Sequence, residues 1–131
     1  RFLLNDACYL SSRTLVSGAI LGFEGQVATY KPYLGNGNPC YRCIFPAPPP
    51  PGLIPSCAES GVFGALAGVI GSTQSLEALK ELLGIGTTLS GYLLIYNGLD
   101  TNWRKVKVRP DPKCPLCGTA PSIKDLSGHS Q

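Results

Sequence analysis

"NPCYRCIFPAPPPPGLIPSC", Asn38 to Cys57, places three cysteines and seven prolines within twenty residues. A close cysteine pair, Cys40 and Cys43, opens it, and an isolated cysteine, Cys57, closes it. The run Pro48 to Pro51 favours extended polyproline geometry and cannot donate to a sheet, so the segment is a stiff loop of fixed span. A loop this long without secondary structure is usually functional or disordered, and its two anchored ends argue for function.

The pair recurs. Cys114 and Cys117 form a second C-x-x-C, "CPLC", and Cys8 completes the count of six. Three readings of the pairs stand open. The first is a structural zinc, with two knuckles presenting four thiolates tetrahedrally at about 2.3 Å. Pro39, Pro115 and Gly118 are the turn residues such knuckles want. The others are redox dithiols and disulfides; no export signal supports disulfides. With all four ligand positions filled by protein, a zinc here has no open position for catalysis. The 70 residues between Cys43 and Cys114 mean the site clips distant segments together. Cys57 precedes "AESGVFGALAGVI" and is expected to start a long helix, where the dipole and unpaired amides favour thiolate. The alternative is a helix-start cysteine with no chemistry. Cys8 reads as a small buried hydrophobe.

The chain has 131 residues, enough for one domain, with 44% apolar and only 15% charged residues. Such low charge predicts surface covered by something else. The net charge of +3 is too small and scattered for nucleic acid, and Arg104 to Arg109 alternates like the solvent face of a strand. "GVFGALAGVIG", Gly61 to Gly71, falls far short of the about 20 apolar residues a membrane span needs. Its glycines instead predict a helix packed closely on a sheet. The chain has no Met and opens directly on a helical pattern, so Arg1 is expected to begin a fragment.

Along the chain the pattern predicts a helix over Arg1 to Arg13, with Phe2, Leu3, Cys8 and Leu10 inward, then strands over Thr14 to Ile20 and Phe23 to Pro32, the second half-buried. A central helix is expected from about Ser60 to Leu83, stopped by Gly84 and Gly86. A hairpin follows, Tyr92 to Tyr96 and Trp103 to Val108, turning at Asn97 to Asp100. After Gly118 the polar residues 119–131 read as a tail or the start of a linker, with His129 solvated.

In this order, "RFLLNDACYL", "LVSGAILGFEGQVATY", "PCYRCIFPAPPPPG", "PSCAESGVFGALAGVIGSTQSLEALKELLGIG", "SGYLLIYNGL" and "CPLCG" resemble the C-terminal half of the MoeB/ThiF family of ubiquitin-activating-type adenylyltransferases. The resemblance covers residues 1–118. It implies an α/β fold: the C-terminal part of a Rossmann-like domain, a mixed sheet whose antiparallel strands pack on a long helix. It implies a cytoplasmic, homodimeric parent enzyme that uses ATP and Mg to adenylate the Gly-Gly carboxylate of a ubiquitin-like sulfur carrier, with pyrophosphate leaving. The pathways implied are molybdopterin, thiamine or tRNA thiolation. Cys40, Cys43, Cys114 and Cys117 then match the structural zinc ligands, and Cys57 the thioester- or persulfide-accepting nucleophile. The loop Phe45 to Pro55 matches the one lying over the carrier tail, and Arg1 the arginine near the phosphates and that tail. The glycine-rich nucleotide loop and its partner residues would precede Arg1, so these residues alone are expected to be inactive. A zinc-stabilised module that holds an extended tail without chemistry is the competing expectation, and a redox dithiol protein the third.

Overall fold

The computed structural model describes residues 1–129, and of Cys57 the backbone alone. Four strands form one sheet in the order β1 (Leu15–Leu21), β2 (Glu24–Tyr30), β3 (Tyr92–Asn97), β4 (Asn102–Lys107). All three pairings are antiparallel, in registers such as Val16↔Thr29, Val27↔Leu94 and Leu94↔Lys105. Helices lie on both faces. On one side packs α4 (Gly64–Leu83); on the other, near the start of the chain, lie α1 (Phe2–Leu10) and the single turn α2 (Tyr41–Ile44).

This two-sided cover corrects the expectation of a half-buried second strand. Successive residues point to opposite faces of a strand, yet Val27, Ala28, Thr29 and Tyr30 are all at most 3% exposed. Val27 joins Leu66, Ile70 and Leu89 in the core under α4. Ala28 and Tyr30 meet Tyr41 in a second core, closed by Phe2, Leu15 and Ile44.

The central helix also differs from expectation. It is two pieces, α3 (Cys57–Ser60) and α4, separated at Gly61, whose φ of +74° is a left-handed conformation that interrupts the helix. The close-approach glycines lie elsewhere than predicted. A Cβ added at Gly64, Gly68 or Gly71 meets nothing within 4 Å. One added at Gly25 of β2 would lie 2.4 Å from Ile70, and one at Gly18 of β1 would lie 2.3 Å from Gln74. The strands, not the helix, are cut back to let α4 down onto the sheet. The helix ends where expected, with Gly84 left-handed at its C-terminus.

In α1 the apolar count misassigns the inner face. Leu3, Leu4 and Leu10 are between 41% and 59% exposed, and the buried side chains are Asn5 and Asp6. The reason is that the first cysteine knuckle, not an apolar surface, covers this helix. The strand β4 is exposed along its length, Lys105 and Lys107 included. No helix among the described residues is long and apolar enough to cross a membrane.

Candidate metal centre and groove

The two knuckles converge. Each C-x-x-C turns tightly: the Cys43 amide donates to the Cys40 carbonyl, and the Gly118 amide to the Cys114 carbonyl. Gly118 has to be glycine, since a Cβ there would lie 2.4 Å from the Cys114 oxygen and 2.6 Å from that of Pro112. The four Sγ atoms of Cys40, Cys43, Cys114 and Cys117 all lie within 4.8 Å of one another. Four of the separations are 3.4 Å (Cys43–Cys117), 3.5 Å (Cys40–Cys117), 3.6 Å (Cys40–Cys114) and 3.9 Å (Cys40–Cys43). A tetrahedral centre with metal–sulfur bonds of about 2.3 Å needs its sulfurs about 3.8 Å apart. The donor set and its spacing therefore fit a metal ion, and the separations are far longer than a disulfide's S–S bond of about 2.05 Å. All five cysteines other than Cys57 are free thiols.

Without a cation the cluster is electrostatically divided. Hydrogen bonds from Cys117 and Cys40 pull Cys43 down to about 2. At Cys40 the bond from Cys117 favours the thiolate, but the bond to Cys43 and burial outweigh it and push the thiol up to about 12. Hydrogen bonds to Cys40 and Cys43 raise Cys117 as well. A bound dication would favour the thiolate form of each cysteine. Leu116 and the cysteines form a small core of their own, closed by Tyr9 and Ile123.

Beneath the knuckles lies an ionic network that the sequence reading missed. Arg42, between the two cysteines of the first pair, donates from Nε to Asp6 Oδ1 and from Nη2 to Asp6 Oδ2, both at 2.7 Å. Its Nη1 donates to the Pro46 carbonyl at 2.8 Å. The Asn5 side chain accepts the Tyr41 amide at 2.9 Å. His129, expected to be a solvated tail residue, instead places Nε2 2.6 Å from Asp6 Oδ2. Burial pushes the Asp6 carboxyl up, but Arg42 and His129 more than offset it and hold it below the ordinary range. Asp6 is thus ionised and can only accept, so His129 Nε2 carries the proton. The available signal was the polar Asn5–Asp6 pair inside an otherwise apolar helix.

The proline-rich segment leaves the first knuckle and returns to α3, roofing an open groove of about 610 Å³. Ile20, Gln26, Tyr41, Phe45 and Ile54 line it, and so does Arg1, whose guanidinium carbon sits 5.6 Å from the Tyr41 ring centre. Cys57 begins α3 at the far end of the roof. Its side chain, the thiol on which a catalytic role rests, lies outside the described residues. Around it the helix start is a capping box: Ser56 Oγ accepts the Glu59 amide, and Glu59 Oε2 accepts the Ser56 amide at 2.8 Å. The helix is one turn long and carries a carboxylate, Glu59, in that turn, where the sequence pattern predicts a long helix.

Comparison with known proteins places this arrangement. Over 128 residues the chain is 55% identical to the sulfur carrier protein adenylyltransferase of Thermus thermophilus, covering 96% of this chain and 47% of that protein. It is 45% identical over 130 residues to the mouse adenylyltransferase and sulfurtransferase MOCS3, covering 98% of this chain and 28% of that one. The chain thus spans less than half the length of the curated relatives it matches. In fold it is similar to the E. coli MccB crystal structure with ATP, at TM-score 0.69 and 15% identity, over 87% of this chain and 35% of that chain. The ThiF family model matches residues 1–116, which hold both knuckle starts, the groove and the sheet, and the chain belongs to that family.

Proposed function

We propose that this chain is the carrier-tail and metal-site part of an ATP-dependent adenylyltransferase that activates the C-terminal Gly-Gly carboxylate of a ubiquitin-like sulfur carrier. The observation that carries the reading is the groove roofed by the Phe45–Pro55 segment, with Arg1 in its wall, in a chain 55% identical to a sulfur carrier protein adenylyltransferase. An extended tail suits an open, largely apolar groove, and Arg1, which shares the lining with Glu24, is the cation placed to meet its carboxylate.

Zinc is the metal we assign to Cys40, Cys43, Cys114 and Cys117, because four thiolates at tetrahedral spacing select it. Its role there is structural: it fixes the knuckle that carries Arg42, and so the base of the roof. ATP, with Mg, supplies the adenylate that makes the carboxylate a good electrophile. No glycine-rich phosphate loop occurs in these 131 residues, so nucleotide chemistry is not assigned to them, and alone they are inactive. Cys57 is the proposed nucleophile: its thiolate would take the acyl group from the adenylate as a thioester, with AMP leaving. Work in the cytoplasm as a homodimer belongs to the same proposal.

The test is ATP–pyrophosphate exchange by a protein joining this chain to a nucleotide-binding half. Exchange should require a carrier ending in Gly-Gly, and exchange that ignores the carrier's end would overturn the reading. In the same protein, Cys57→Ala should leave exchange intact and lower sulfur transfer; unchanged transfer would remove Cys57 from the mechanism. A second reading, a module that holds an extended tail without chemistry, would use the same groove. It predicts tail binding and no exchange in any context.

A further inference from the structure

The residues after the second knuckle are tied down at both ends. At the start, the Ser122 and Ile123 amides both donate to the Pro115 carbonyl, at 3.0 and 2.9 Å, and Ile123 packs on the cysteine core. At the far end a 3-10 turn, Ser127–His129, delivers His129 to Asp6. Between these ties the segment does not seal: a cavity of about 280 Å³ remains beneath it, bordered by Lys124, Asp125, Asp6 and Arg42. At its far end the His129–Asp6 contact ties it to α1.

That contact does not end at Asp6. The carboxylate passes from His129 to the Nε and Nη2 of Arg42, and Arg42 passes on through Nη1 to the Pro46 carbonyl. Pro46 stands at the base of the groove's roof, next to Phe45, which lines the groove. An unbroken chain of charged and hydrogen-bonded groups therefore links the end of the second knuckle's extension to the root of the proline-rich loop, with both buried members, Asp6 and Arg42, at most 6% exposed. Low-dielectric surroundings make each link sensitive to loss of the next.

We propose that residues 119–129 form a strap whose seat, through His129–Asp6–Arg42–Pro46, sets the position of the loop over the groove. Whatever pulls on or displaces the strap, a following domain or a bound partner, loosens the roof. His129 is then a positioning residue for the groove, acting through Asp6 and Arg42. The consequence for tail binding rests on the proposed function; the coupling itself does not.

Hydrogen–deuterium exchange on the chain tests it. The reporter is the Phe45 amide, which donates to the Tyr41 carbonyl at the root of the roof. His129→Ala should speed its exchange by at least about 5-fold, the low end of inter-site coupling, with metal content unchanged. His129→Gln, whose amide nitrogen can stand where Nε2 stands, should restore the protection. Faster exchange confined to residues 119–129, with Phe45 unchanged, would overturn the proposal, as would failure of the glutamine to restore what alanine loses. Affinity for a Gly-Gly-ended peptide is measured alongside. If the wild type binds none, the reading of the groove fails, while the exchange result still decides the coupling.

Discussion

Asp6 is the residue on which most of the knuckle end depends. Its carboxyl is fully buried, and the two partners that lower it, Arg42 and His129, come from widely separated parts of the chain. A carboxyl lowered in the folded state contributes stability that is present above its unfolded value of about 3.9 and lost as pH falls through the folded value. Asp6→Asn leaves the Arg42 guanidinium buried and uncompensated, and should cost about 3–5 kcal/mol at pH 7 in urea denaturation. The gap between wild type and variant should shrink as the pH is lowered below 4; a gap that widens in acid would contradict the assignment. Gly118 makes a second prediction at this scale. Gly118→Ala drives a Cβ onto two backbone oxygens that cannot move aside, so the variant should give up its metal to a competing chelator at lower chelator concentration than wild type. The four cysteines were legible because residue type and two-residue spacing suffice to name a knuckle. Asp6, Arg42 and His129 were not, because nothing local tells a helical carboxylate that its partners lie 36 and 123 residues away.

Among the elements, α4 and β2 carry the main core. Ile70 sits over Gly25, at a place where the strand has no side chain, and is 3% exposed. Ile70→Ala should cost about 2–5 kcal/mol, measured by thermal or chemical unfolding, since neither the helix nor the sheet can close the hole. Strands and helices were legible at this scale from alternation and from turn chemistry. The hairpin turn is an example: the Asn97 side chain accepts the Leu99 and Asp100 amides, as an asparagine at a turn start does. Three features escaped. The break between α3 and α4 depends on the φ of Gly61, and a glycine inside a helical pattern is ambiguous. Burial of β2 on both faces depends on what two distant helices bring to it. The glycines that permit close packing lie on the strands, at Gly18 and Gly25, and not in the helix's own run of glycines.

Taken whole, the chain presents much apolar surface. Leu76, Leu79, Leu82, Leu83 and Ile85, at the C-terminal end of α4 and just beyond, are each more than half exposed. Low charge in the sequence predicts surface that something else covers, but the helical spacing of "SLEALKELL" sets Leu76, Leu79, Leu82 and Leu83 toward a core and Glu77 toward water; in the structure those leucines are exposed and Glu77 is buried. At the same scale, the occupant proposed for the groove between sheet, first knuckle and proline-rich roof is the extended Gly-Gly end of a carrier protein. The direct measurement is an NMR titration of the metal-loaded chain with a peptide ending in Gly-Gly and a free carboxylate, beside the same peptide amidated. Shifts are expected at Ile20, Gln26, Tyr41 and Phe45, with weaker binding for the amidated peptide, because Arg1 then loses its charge partner. Equal binding of both peptides, or shifts that avoid these groove residues, would contradict it.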